Sequence, residues 1–254
     1  MSIYSDILVR CKAGKKSLAV LVDPDKVENP QTLQVLINQA NENCVDFFFV
    51  GGSLLTSNNM ADVVRQIKEN VTIPVILFPG HAIQVDPQAD GILFLSLISG
   101  RNPELLIGQH VVTAPILRNT KLEVIPTGYL LIYSGKLTAV AYMSNTTPIP
   151  EDKYSLAACT ALAGEMLGLK MIYLDAGSGA ERPINKKMIS AVRKNVQVPL
   201  IVGGGINTPQ KATDAFEAGA DVIVIGNALE KNADLLNDIS EVVYEWNLAL
   251  EEEK

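Results

Sequence analysis

Tyr173 and Asp175 stand two positions apart in the run Tyr173-Leu174-Asp175-Ala176-Gly177-Ser178-Gly179. Alternate side chains of a strand share a face, so the phenol and the carboxylate point the same way. A carboxylate so placed can hold substrate hydroxyls or act as a general base; alternatively, Asp175 only terminates the strand. Two further apolar runs end in glycine: Pro199 to Val202 runs into Gly203, Gly204 and Gly205, and Asp221 to Ile225 runs into Gly226 and Asn227. Glycine lets backbone N–H groups approach a ligand with no Cβ in the way, and an anion is the natural guest. Two glycine ends on neighbouring strands therefore point to a phosphate cradle rather than to tight turns alone. Asp23 and Ser53 close two more apolar runs. A carboxylate beside a hydroxyl suits Mg²⁺, which takes few protein ligands and completes its shell with water and substrate phosphates. The competing reading is that Asp23 caps the turn before Pro24 and Ser53 caps the next helix.

Several chemistries are excluded. No lysine lies within a predicted strand, which argues against Schiff-base catalysis; Lys26, Lys136, Lys186 and Lys187 fall in loops and read as solvated. His81 and His110 are the only histidines, too few for a His-rich zinc site. His81 follows a Pro-Gly turn and reads as a surface residue. There is no GxSxG motif and no Cys/His nucleophile pair. A net charge of −7 argues against nucleic acid as the main partner. Three scattered cysteines, Cys11, Cys44 and Cys159, suggest reduced thiols and a cytoplasmic protein. No signal-peptide pattern and no run of about 20 apolar residues is present.

These residues need a scaffold that gathers strand ends. The chain has 254 residues, 48% of them hydrophobic, close to the roughly 250 of a one-domain (β/α)₈ barrel. Strands are predicted at Ser17 to Asp23, Asp46 to Val50, Pro74 to Phe78, Asp90 to Leu95, Leu122 to Thr127, Met171 to Asp175, and in the two glycine-ended runs. Helical spacing lies between them, as at Gln31 to Asn43, Met60 to Asn70, Ala157 to Leu167 and the segment opened by Thr208 and Pro209. Ile3 to Cys11 is expected to close the barrel bottom, and Asp234 to Leu250 to form a terminal helix. Tyr129 to Tyr133 and Leu137 to Tyr142 flank Ser134-Gly135-Lys136, which predicts a hairpin insertion after strand 5. The expected architecture is thus a single α/β domain over 1–254, a (β/α)₈ TIM barrel with a small hairpin insertion. An open doubly wound sheet is disfavoured because no GxGxxG follows the first strand. In a barrel all the polar strand ends meet on one rim, and the loops after the last two strands are the recurrent phosphate site. Phe78, Leu93, Leu95 and Tyr142 are candidates to line an apolar groove there, or to be ordinary core.

Motifs along nearly the whole chain resemble the geranylgeranylglyceryl phosphate synthases, prenyltransferases with a (β/α)₈ fold. They are VDPDK at Asp23, GGS at Ser53, FPG at Phe78, ADGILFLSL with SGRNPELLIG, PTGYLLI, SNTTPIP, YLDAGSGA, VGGGI and VIGNAL. The YLDAGSGA form is similar to the second large branch of that family. The other branch has a lysine two positions before the metal aspartate; here that position is Leu21, so no phosphate-holding role of that lysine carries over. The resemblance implies that the 3-hydroxyl of sn-glycerol 1-phosphate attacks C1 of a polyprenyl diphosphate, geranylgeranyl or longer, with pyrophosphate leaving and an ether forming. It implies Mg²⁺ on Asp23 and Ser53. It also implies glycerol 1-phosphate on Tyr173, Leu174, Asp175, Ala176, Gly177, Ser178, Gly179, Gly204, Gly205, Gly226 and Asn227, with Asp175 and Tyr173 nearest the chemistry. A homo-oligomer is expected, with exposed apolar positions such as Tyr142 or Trp246 as contacts, and transient membrane contact for the lipid product. Two rivals stand beside this reading. One is a phosphate-dependent barrel isomerase or cyclase, disfavoured because Pro126-Thr127-Gly128 offers no carboxylate on strand 5. The other is a non-catalytic phosphate or prenyl-phosphate binder.

Overall fold

The computed structural model describes residues 2–226, 229 and 235–252. Eight parallel strands close into a barrel in chain order. They are β1 (Ser17–Val22), β2 (Phe47–Val50), β3 (Val75–Leu77), β4 (Gly91–Leu97), β5 (Glu123–Leu131), β6 (Met171–Asp175), β7 (Leu200–Gly203) and β8 (Val222–Ile225). Closure is direct: β1 pairs with β8, Ala19 opposite Val224. The helices are α1 (Ile3–Lys12), α2 (Pro30–Glu42), α3 (Met60–Asn70), α4 (Gln109–Leu117), α5 (Ala139–Ser144), α6 (Tyr154–Met166), α7 (Lys186–Arg193), α8 (Pro209–Glu217) and α9 (Leu235–Glu252).

The strands are apolar on both faces, as buried parallel strands must be, and alternation splits the core in two. Ala19, Phe47, Phe49, Ile76, Leu93 and Ile201 fill the barrel interior. Leu18, Val20, Phe48, Val75, Ile172 and Val202 pack outward under the helices. Local chemistry sets the helix starts. Thr208 caps α8 by accepting from Lys211 N, with Pro209 at the first turn, and Asn29 caps α2 in the same way, followed by Pro30. α1 closes the bottom, where the Glu123 carboxylate accepts from the N–H groups of Ile3 and Tyr4. The expected start of the terminal helix lies outside the described residues. Trp246 on α9 is half-buried and packs on Phe216 at 5.9 Å, so it is no free contact.

The predicted hairpin is absent. β5 does not stop at Thr127 but runs on to Leu131, pairing Tyr129 with Tyr173 and Leu131 with Asp175. Gly128, which reads as a strand end, lies inside the strand; a Cβ there would meet the Cδ1 atoms of Ile172, Ile98 and Leu169 at 2.9–3.0 Å. Most of the presumed second hairpin strand is α5, entered through Thr138 and ended by Asn145 in a left-handed conformation. Ile132 bridges to Ile149 instead, bringing the SNTTPIP loop back over the rim. No described helix is long and apolar enough to cross a membrane.

Candidate active site

The top of the barrel gathers two polar stations and an apolar groove. The first station lies at the end of β6. Tyr173 and Asp175 both face inward, as the alternation predicts, and both are buried. The Asp175 carboxylate accepts from Gly177 N at 2.8 Å through one oxygen and from the Tyr129 hydroxyl through the other. Burial raises the Asp175 pKa, while Tyr129 and Gly177 oppose the rise. Burial and the neighbouring carboxylate hold the Tyr129 and Tyr173 phenols well above their usual range, so both stay neutral donors. The rings of Phe78, Tyr129 and Tyr173 cluster within 5.3–6.0 Å of one another: Phe78 stacks on Tyr173, and Tyr129 is tilted against Phe78 and edge-on to Tyr173. Leu174 and Ala176 turn their side chains into the outer layer and offer only backbone to the site.

Around this carboxylate the glycine backbone turns repeatedly through the left-handed region. Gly177, Gly179, Gly204 and Gly205 all have φ between +72° and +86°. Gly204 shows the constraint best: a Cβ would lie 2.8 Å from Ala176 Cβ and 2.9 Å from Asp175 Oδ1. Only glycine permits both this conformation and this approach. Gly226 ends β8 against Leu21, and Asn227 lies outside the described residues. Sequence reasoning missed two neighbours. Lys136 is an exposed loop residue, as its place in the sequence predicts, and its Nζ is 4.0 Å from the position a Gly179 Cβ would take. The Thr138 hydroxyl is buried against Gly177 with no partner among the described residues.

The second station lies at the ends of β1 and β2. A Cβ on Gly52 would come within 3.3 Å of Asp23 Oδ1, and one on Gly80 within 2.8 Å of Ser53 Cα, so these two glycines leave room beside the carboxylate and the serine. Asp23 Oδ1 accepts from Asp25 N, which is the turn-capping role of the competing reading. Ser53 does not cap α3, whose first turn is preceded by Asn59. Asp25 ties the two loops together by accepting from Thr56 and Ser57 N–H groups at 2.6 and 2.9 Å. Slight burial works against it, but the hydrogen bonds from Ser57 and Thr56 pull its pKa down to about 2. A carboxylate and a hydroxyl, both hard oxygen donors, are of the chemistry that fits a small divalent cation.

A cavity of about 420 Å³ begins at Gly52 and Ser53, passes Phe78, Leu95 and Tyr129, and ends between β4 and α4. Its volume falls in the ~300–1,000 Å³ range of small-molecule sites. Of the four groove candidates, Phe78 and Leu95 line it. Leu93 is buried in the barrel interior and Tyr142 is 86% exposed. At the far end His110 packs edge-on against Phe94 at 4.5 Å, with Nε2 3.0 Å from Ser96 Oγ. Burial lowers its pKa, so the ring is neutral near pH 7. His81 is exposed at the groove mouth.

Comparison with known proteins then decides the family: the PcrB family model matches residues 12–243. The chain belongs to the PcrB family. Members similar to it include the geranylgeranylglyceryl phosphate synthase of Spirosoma linguale, 54% identical over 235 residues, 92% of this chain and 94% of that one. The synthase of the same name from Korarchaeum cryptofilum is 40% identical over 231 residues, covering 91% and 94%. Among solved structures, (S)-3-O-geranylgeranylglyceryl phosphate synthase from Thermoplasma acidophilum, in complex with its substrate sn-glycerol-1-phosphate, superposes with a TM-score of 0.90. It is 32% identical, with 96% of this chain and 99% of that one covered. The PcrB frame thus extends over both polar stations and the groove.

Proposed function

We propose that this chain is a prenyltransferase that joins sn-glycerol 1-phosphate to a polyprenyl diphosphate, geranylgeranyl diphosphate being the first choice. One observation carries the reading. A glycine cradle with a buried carboxylate and a metal-compatible carboxylate–hydroxyl station share one rim, and an apolar groove leads away from the second of these. Glycerol phosphate suits the first station. Backbone N–H groups of Gly179, Gly204 and Gly205 bind the phosphate, and Asp175 reads the glycerol hydroxyls while the Tyr129 hydroxyl and the Gly177 N–H hold it in place. Diphosphate suits the second station and the prenyl tail suits the groove.

The 3-hydroxyl oxygen forms a bond to C1 of the prenyl group as the C1–oxygen bond to diphosphate breaks, the electron pair leaving with pyrophosphate. Asp175 accepts the hydroxyl proton; its burial makes it a better base than an exposed aspartate. The rings of Phe78 and Tyr129, which line the groove beside Tyr173, border the place where C1 gains positive charge, and aromatic faces attract cations within about 6 Å. Asp23 and Ser53 would hold Mg²⁺, which when bound neutralises the charge growing on the leaving group. Three free thiols fit a cytoplasmic setting.

The test is product formation by mass spectrometry. The protein is given geranylgeranyl diphosphate, Mg²⁺ and either sn-glycerol 1-phosphate or its 3-phosphate enantiomer. An ether product from the 1-phosphate alone, lost with EDTA, is expected. No product from either, with longer prenyl diphosphates also tried, refutes the transferase and leaves the binder.

A further inference from the structure

Gln84 lies in the loop between β3 and β4 and is only 3% exposed. Glutamine is mostly a surface residue, and a buried amide needs partners for both its ends. One end has a partner: Oε1 accepts from Gly80 N at 2.9 Å. Gly80 N can only donate, so the atom facing it must be the oxygen, and the NH₂ group is thereby turned the other way. No described residue accepts from that NH₂ group. Nor is it sealed in: among the described residues, the enclosed side-chain polar atoms without a partner are His110 Nδ1 and Thr138 Oγ1. The NH₂ group therefore faces open space, and the space that Gln84 lines is the cavity of the candidate site. Its place along that cavity follows from Gly80. A Cβ on Gly80 would lie 2.5 Å from Gly52 O and 2.8 Å from Ser53 Cα. Gln84, Gly80 and Ser53 thus touch in that order, at the end of the cavity that holds the carboxylate–hydroxyl station.

We propose that the Gln84 carboxamide is a further substrate contact, its Nε2 donating to a diphosphate oxygen of the prenyl substrate beside Ser53. The proposal rests on the transferase reading and names a residue on which that reading does not draw. The chemistry of the group suits the guest. The free end of the amide offers two N–H donors and no acceptor, so it selects oxygens with lone pairs and not the hydrocarbon tail. It is neutral at every working pH and takes no proton from the leaving group. A donor fixed in a water-poor site binds more strongly as negative charge builds on the oxygens it faces, which is what happens to a departing diphosphate. One side chain then does two jobs: Oε1 holds the turn at Gly80, and Nε2 holds the leaving group. Glycerol phosphate is the poorer guest, because the glycine turns that suit it follow β6 and β7. The rival occupant is a water molecule held by the amide alone.

The test uses the full-length chain with Gln84→Glu and Gln84→Met, and Gln88→Glu as control. Glutamate keeps an oxygen for Gly80 N and puts a second oxygen where the NH₂ group was, so it spares the tether and removes the donor. Methionine removes both. Gln88 is exposed on the same loop and does not line the cavity, so its substitution adds the same charge outside it. Calorimetry with inorganic pyrophosphate and Mg²⁺ should show binding weakened about tenfold or more in both Gln84 variants, the size of one hydrogen bond to a charged group. The control, and sn-glycerol 1-phosphate binding in every variant, should stay within about twofold of the unmodified chain. KM for geranylgeranyl diphosphate should rise in the Gln84 variants, with KM for glycerol phosphate unchanged. A second readout needs no active variant: in the unmodified chain the ¹⁵N side-chain amide signal that is lost on substituting Gln84 should move when pyrophosphate and Mg²⁺ are added. Loss in the methionine variant alone makes Gln84 a brace for Gly80 and refutes the contact. Pyrophosphate binding as tight in the glutamate variant as in the unmodified chain, or an amide signal that pyrophosphate does not move, leaves the NH₂ group to water and overturns the proposal. Equal loss for both ligands, or in the control, overturns it too. If no substrate turns over, the transferase reading falls, while calorimetry and the amide signal still judge the contact.

Discussion

Tyr129→Phe isolates the hydrogen bond on which the glycerol station turns. The substitution removes one oxygen and leaves the ring, its tilted and edge-on contacts with Phe78 and Tyr173, and the β5–β6 pairing in place. It leaves one Asp175 oxygen without its donor in a fully buried setting. A hydrogen bond to a charged group is worth about 1.5–3 kcal/mol, so kcat/KM should fall by roughly 10- to 150-fold at about 1.4 kcal/mol per decade. The direction of the pH effect follows from the same contact. Burial already raises the Asp175 pKa and Tyr129 opposes that rise; without Tyr129 the pKa climbs further, and the acid limb of the rate profile moves to higher pH. Stability follows the matching sign. A carboxyl whose folded pKa is raised favours folding below its unfolded pKa and loses that contribution as pH rises through the folded value. The variant's stability deficit should therefore be largest at neutral pH and shrink as pH falls through its raised folded pKa. The assay is kcat/KM for glycerol phosphate across pH, with thermal melts at each point. An unshifted acid limb with kcat/KM within about twofold of the parent would remove Tyr129, and the Asp175 geometry with it, from the mechanism.

Other stations give separate tests. Asp23→Asn should abolish divalent-dependent turnover with an unchanged melt; retained activity in EDTA-sensitive form takes Asp23 out of the metal site. Gly204→Ala forces a side chain into φ +82° against Asp175, which should cost about 1–3 kcal/mol of stability and weaken glycerol phosphate binding, measured by melts and calorimetry; a neutral outcome would show that the cradle can relax. Asp175→Ala should damage glycerol phosphate use more than diphosphate binding, and equal loss of both contradicts its role as hydroxyl reader. Lys136→Ala should raise KM for glycerol phosphate by a few-fold, with a shallower salt dependence; identical salt dependence assigns Lys136 to bulk solvent.

The residues proposed to carry chemistry are legible where a local rule binds them. Alternation placed Tyr173 and Asp175 on one face, and glycine runs at strand ends marked the cradle. Tyr129 was hidden by Gly128, which punctuates the sequence like a strand end but serves as a crevice for Ile98, Ile172 and Leu169. Period two through Ile125, Thr127, Tyr129 and Leu131 was the signal that could have extended the strand. α5 was misread because Leu137 to Tyr142 is apolar and only six residues long, a length at which periodicity cannot separate helix from strand. The groove could not be foreseen, since its walls come from β3, β4, α4 and α5, joined only by closure of the barrel. Tyr142 looks like a groove residue in sequence, but it sits on the solvent side of a short helix.

The Asp175 carboxylate, the proposed reader of glycerol, hangs from a strand locked on both sides, through Leu131 on one and Gly203 on the other. The walls around the tail are different in kind, built from one six-residue helix and one helix with a void behind it. This separates what natural selection can change from what it must leave alone. Substitutions along α4 and α5 can lengthen, shorten or bend the hydrocarbon slot without disturbing the handedness read at the polar end. A lineage with this barrel can therefore retune the length of its lipids in a few steps while the stereochemistry of their glycerol backbone stays fixed by the strand ladder.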